Sequence, residues 1–184
     1  MASPLIIPWN GVWPRIAADA FIAPNATIIG DVEIGAQSSI WFNVVVRGDV
    51  SHIRIGARTN LQDNTVVHVT SAGGKGGASV PTIIGNDVLV GHGAIIHACT
   101  IEDGSFIGLA ATVLDGAVVE SKGMVAAGAV VSPGKRVPSG ELWAGTPAKF
   151  MRKLTDADFA HIKRGTSNYV EVGNLYRRQL KDHS

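Results

Sequence analysis

Three imidazoles sit in runs of small and aliphatic residues that otherwise read as plain core: His68 in "NTVVHVT", and His92 and His97 in "VGHGAIIHACT". A cation held by three neutral imidazoles keeps its full charge and an open fourth position, which is the style of a catalytic zinc site rather than a structural one. Zinc so held lowers the pKa of a coordinated water to about 7 and makes it a hydroxide nucleophile. Spacing is the difficulty. His92 and His97 lie five residues apart, whereas partners on one helix face lie three or four apart. In one flat strand the two would point to opposite sides.

The backbone that resolves this is written in the aliphatic residues. Ile22, Ile28, Ile34, Ile40 and Val46 recur every six residues, as do Ile55, Leu61 and Val67, then Ile84, Val90 and Ile96, then Ile101, Ile107, Val113, Val119, Val125 and Val131. Several are followed by glycine, as at Ile34-Gly35, Ile55-Gly56, Ile84-Gly85 and Ile107-Gly108. This is the hexapeptide signature of an all-β fold, the left-handed parallel β-helix. Each hexad makes one short strand and one corner, three hexads close a triangular coil, and coils stack about 4.8 Å apart. The glycine is expected to relieve the corner backbone.

The frame breaks in three places. It gains three residues between Val46 and Ile55, loses one between Ile96 and Ile101, and gains eleven between Val67 and Ile84. The last gain falls in "SAGGKGGASVP", 71–81, which reads as an excursion loop. Gly74-Lys75 in that loop is no phosphate cradle, because Val69 stands where the first glycine of such a loop belongs and Gly76 replaces its hydroxyl residue. The expected organisation is a β-helix domain over 1–150 and C-terminal helices over 151–184 that pack along the prism. Thr155 or Asp156 is the expected N-cap of a first helix running to about Lys163. A second is expected over roughly 167–181, with Tyr169, Val172, Leu175 or Tyr176, and Leu180 toward one side.

With the 71–81 loop counted inside one hexad step, Ile96 lies one full coil beyond Val67. His68 and His97, each one residue past an inward position, then stack on the same edge. His92 falls on a different edge, roughly 15–20 Å away if a side is four to six extended residues. One chain cannot gather all three, but a three-fold homotrimer of parallel prisms can set His92 of one copy beside His68 and His97 of the next. The same register puts Gln62 and Asp63 beneath His92 and Arg47 beneath His68, so Arg47, Asp49, Gln62 and Asp63 cluster at the contact. Gln62 can hydrogen-bond a bound water or oxyanion without adding charge. Arg47 and Asp49 read equally well as a structural pair. His52, His161 and His183 read as ordinary histidines, and Cys99 as a small buried hydrophobe.

Composition narrows the partners. Charged residues are 17% of the chain and the formal net charge is +1, with no basic stripe for nucleic acid. The first residues, "MASPLIIPWNGVWP", lack the basic and long apolar regions of a secretory signal. No run reaches the roughly 18 apolar residues of a membrane span. A single cysteine fits a reducing, cytoplasmic setting.

The segments "VVRGDV" (45–50), "IGARTNLQDNTVVHV" (55–69) and "VGHGAIIHACTI" (90–101) resemble the γ-class carbonic anhydrase family, and "GTPAK" (145–149) and "SNYV" (167–170) look like its bacterial members. The resemblance implies a homotrimer that interconverts CO2 and bicarbonate at zinc, or iron or cobalt, held by His68, His92 and His97 across subunit interfaces. It also implies interface pairing for Arg47 and Asp49, places for Gln62 and Asp63 around the metal water, and a place near the metal for Tyr169 from the C-terminal helix. There are two departures. Val50 stands where the archetype carries an acidic residue, and 71–81 has no carboxylate where the archetype has a proton-shuttle loop. Three other readings share the prism: a hexapeptide acyltransferase with one histidine base, a metal-dependent thioesterase, and an assembly protein whose metal only staples the trimer.

Overall fold

A computed structural model describes residues 3–72 and 78–181 of the chain; Gly74, Lys75, Gly76 and His183 lie outside the described residues. The six-residue spacing produces a parallel β-solenoid of about seven coils. Its three faces carry one inward column each. Ile40, Leu61, Val90, Ile107 and Val125 line the first, Ile28, Val46, Val67, Ile96, Val113 and Val131 the second, and Ile34, Ile55, Ile84, Ile101, Val119 and Val137 the third. Each column is a parallel ladder. Val46 pairs with Val67 and Ile96 with Val67 on the second face, while Leu61 pairs with Val90 on the first. Burying each such side chain is worth about 1.5–3 kcal/mol, and only stacking buries it, so no coil is stable alone.

The glycines play a different part from the expected one. Backbone of positive φ occurs two residues after them, at Arg58, Asp87, Gly93 and Ala110 among others. What the glycines allow is close approach. A Cβ on Gly56 would lie 2.6 Å from the backbone carbonyl carbon of Gly85, and one on Gly35 2.6 Å from that of Gly56. Gly56→Ala is therefore expected to destabilise the fold by about 1–3 kcal/mol, as overpacking does. Thermal unfolding against wild type checks this, and an unchanged midpoint contradicts it.

The insert after Val67 leaves the ladder intact. An isolated antiparallel bridge between Thr70 and Val80 closes its neck, and strand Thr82–Ile84 rejoins the third face beside Val45–Ile55. At the far end the strand Glu141–Ala144 is met by an antiparallel strand, Lys149–Lys153, that turns the chain back. The boundary placed at residue 150 falls inside this last strand.

One helix follows, Asp156–Lys181, not two. Thr155 caps it. Its Oγ1 accepts from the Asp158 amide at 3.3 Å while Asp158 Oδ2 accepts from the Thr155 amide at 2.7 Å, a reciprocal capping box. Gly165 does not break the helix. It lets the helix press on the first face, since a Cβ there would lie 2.5 Å from Leu89 Cδ1. Thr166 bonds back to the Ile162 carbonyl at 3.0 Å. The helix packs on Phe21–Ile22, Ser39–Ile40 and Leu89–Val90, and its Tyr169 and Tyr176 rings meet Trp41 at 5.4 and 5.3 Å. No helix among the described residues is long and apolar enough to cross a membrane.

Candidate metal centre

His68 and His97 end the strands Val66–His68 and Ile95–His97, and they are direct register partners. Both follow an inward residue, so both project outward on one edge. His68 Nε2 lies 3.1 Å from Asp49 Oδ1, and His97 Nδ1 lies 2.6 Å from Asp115 Oδ1. An ionised carboxylate only accepts, so those two nitrogens carry the protons and donate. The remaining nitrogens, His68 Nδ1 and His97 Nε2, face each other across 3.2 Å with a lone pair each. Two lone pairs at that distance repel unless a proton or a metal cation lies between them. A tetrahedral zinc with 2.0–2.1 Å bonds separates its ligand atoms by about 3.3 Å, so the donor pair fits a shared ion.

The electrostatics favour the neutral ligand form. Burial holds the His68 pKa below the ordinary imidazole value; Arg47 and His97 act in the same sense, and the Asp49 bond opposes them. Burial works to raise the pKa of Asp49, but the bonds from Arg47 and His68 outweigh it, and the net shift is downward. In the metal-free protein the His68 ring is therefore expected to titrate below about 6.5, as followed by its imidazole proton resonances. A neutral ring preferred by the fold adds stability above the ordinary value and loses it as pH falls below it. A midpoint above 6.5 would contradict the burial argument.

His92 lies on another corner. It follows Leu89–Val90, and its Nδ1 is 2.8 Å from Asp63 Oδ2, which leaves Nε2 free on a side chain 45% exposed. Leu61 pairs with Val90, so Gln62 and Asp63 do lie one coil below it. Gln62 is buried, and its Nε2 donates to Asn60 Oδ1 at 3.2 Å. Tyr169 comes to this corner from the helix. Burial first, then the charge of Asp63, raises the pKa of its phenol, which stays protonated. Among the described residues no three side chains of His, Cys, Asp or Glu converge in one chain on a metal position.

The predicted residues thus divide into two sets. Arg47, Asp49, His68 and His97 share one edge, where Arg47 hydrogen-bonds Asp49. Gln62, Asp63, His92 and Tyr169 share the other. Strand Ile95–His97 runs between them, His97 at its end and His92 just before its start. The outer surface of that face is apolar and uncovered: Val66 is 39% exposed and Ile95 45%. Cys99 takes no part, because burial pushes its thiol up to about 12. Val50 is exposed and offers no carboxylate.

Asp115 and Thr70 were missed in the sequence, although the signal was present. Ile96 pairs with Val113, so Asp115, two residues past Val113, sits one coil above His97. A cleft of about 650 Å³ lies elsewhere, between the helix residues Phe159, Ile162 and Val170 and the corner residues Arg58, Asp87 and Lys122. It contains none of the three imidazoles.

Residues 14–48 match the family model described as bacterial transferase hexapeptide (six repeats). The chain is 52% identical over 165 residues to "Gamma carbonic anhydrase 2, mitochondrial" of Arabidopsis thaliana, an alignment covering 89% of this chain and 58% of that protein. It thus spans about three-fifths of the length of that relative. Over 173 residues it is 42% identical to "Carbonic anhydrase" of Geobacillus kaustophilus, covering 94% of this chain and 91% of that protein. Among solved structures, a hexapeptide transferase family protein from Anaplasma phagocytophilum superposes with a TM-score of 0.87 at 45% identity, covering 94% of this chain and 98% of that one.

Proposed function

Because this chain belongs to the γ-class carbonic anhydrase family, we propose that it interconverts CO2 and bicarbonate at the interfaces of a homotrimer. His68 and His97 of one copy and His92 of the next would hold a zinc ion, or iron or cobalt in its place. The observation that carries this is the facing pair of imidazole nitrogens at 3.2 Å, with the third imidazole out of reach in the same chain. The apolar strip of Val66 and Ile95 between the two half-sites supports association through that face.

When bound, the metal supplies Lewis acidity, which brings the pKa of water near 7. The chain's own groups do the rest. Asp49, Asp63 and Asp115 each fix one nitrogen of a histidine and thereby aim the other. Arg47 holds Asp49 ionised. Gln62, neutral and buried, and the protonated Tyr169 would donate hydrogen bonds to an oxyanion without adding charge.

Stopped-flow CO2 hydration, with metal analysis and light scattering, on protein prepared with zinc and anaerobically with iron tests the reading. A monomer without metal overturns it. A metal-loaded trimer without turnover removes the activity and leaves a stapling metal. That second reading is favoured by Val50 and by the absence of any carboxylate in 71–81, since each turnover must export a proton. Acyl transfer or thioester hydrolysis by the same protein would instead favour the transferase-like alternatives.

A further inference from the structure

Three carboxylates grip three imidazoles, but they do not grip alike. Asp49 reaches His68, and Asp63 reaches His92, from the coil below. Asp115 reaches His97 from the coil above, and it alone has its second oxygen held by a neutral hydroxyl, Thr70 Oγ1. The backbone around it is fixed on both sides. The Gly116 amide donates to the Ala98 carbonyl at 2.7 Å, and the Gly134 amide donates to the Asp115 carbonyl at 2.9 Å. Thr70 is itself fixed by its paired bonds with Val80 at 3.0 and 3.1 Å. The side chain of Asp115 is 41% exposed, and among the described residues its carboxylate is held by Thr70 on one oxygen and by His97 on the other.

We propose that Thr70 and Asp115 form a positioning pair that locks His97 in its Nδ1–H tautomer and so turns Nε2 toward His68 Nδ1. The consequence is a mixed ligand set. His68, held through Nε2 by Asp49, offers Nδ1, whereas His97, held through Nδ1 by Asp115, offers Nε2. A His97 ring free to take the other tautomer would place a proton on the nitrogen facing the site, and that proton must be displaced before any cation binds. The metal part of this inference rests on the metal-site reading above; the tautomer part does not.

The test uses the full chain with two readouts. In zinc-free protein, long-range proton–nitrogen correlations of the imidazoles report the tautomer. In the second, zinc alone is titrated against a competing chelator. Wild type is expected to show His97 as Nδ1–H. Asp115→Ala is expected to lose that tautomer and to weaken zinc binding by about 10–100-fold. Asp115→Asn, whose amide oxygen still accepts from Nδ1–H, should keep the tautomer and lose less affinity. Thr70→Val should fall between wild type and Asp115→Ala on both readouts. If Asp115→Ala fails to fold, the Asn and Val variants carry the comparison. An Nδ1–H signal that survives in Asp115→Ala, or zinc affinity there within twofold of wild type, overturns the proposal. Wild type that takes up no zinc yet shows the Asp115-dependent tautomer would overturn the metal reading and leave the positioning pair standing.

Discussion

Mixing His92→Ala chains with His97→Ala chains is expected to restore metal binding and CO2 hydration that neither variant has alone. In the proposed trimer each variant by itself breaks every site, because each complete ligand set would need His97 from one chain and His92 from its neighbour. The expected loss of metal affinity exceeds the roughly 10–100-fold that a change behind a ligand costs. In a mixed ring of three, one interface joins an intact His68–His97 edge to an intact His92 corner, so one site in three returns. Random mixing of equal amounts gives roughly a quarter of the wild-type sites, since about three-quarters of closed trimers are mixed. Metal content and CO2 hydration of the co-refolded mixture, beside the two pure variants, measure this. A mixture as inactive as its components would show that the imidazoles are not shared between copies.

The second large effect is expected from Ile95→Asp. Ile95 is 45% exposed in the single chain, while its neighbour Ile96 is fully buried. A charge at position 95 therefore costs the folded chain little, and surface substitutions of this kind usually stay within about 0.5 kcal/mol. In the proposed trimer the same carboxylate would be buried without a partner, which is strongly unfavourable. The variant should be a folded monomer with native circular dichroism and no bound zinc. Light scattering and metal analysis check it. A trimeric, metal-loaded Ile95→Asp would place the interface on another face.

The solenoid and the two edges that carry the histidines were legible in the sequence for one reason: a strict six-residue period converts sequence distance directly into stacking. Val67 and Ile96, three steps apart once 71–81 is set aside, do pair, and His68 and His97 meet as a result. What lay outside that period was harder to read. Gly165 looks like a helix end, and its actual role depends on how closely Leu89 approaches, a contact between residues far apart in the chain. Gly56 looks like a corner relieved by flexibility, yet the left-handed backbone sits two residues on, at Arg58. Tyr169 had no register to place it, and only the family resemblance pointed to it. Asp115 was within reach of the register.

The reversed strand Lys149–Lys153 has a wider implication. A parallel ladder has no internal reason to stop: its last rung offers the same unpaired amides and carbonyls as every rung before it, so two truncated molecules could join end to end and then recruit a third. Running the final strand backwards replaces that template with one of opposite polarity. On the face that carries Glu141–Ala144, the few residues of this hairpin thus give the ladder a defined length.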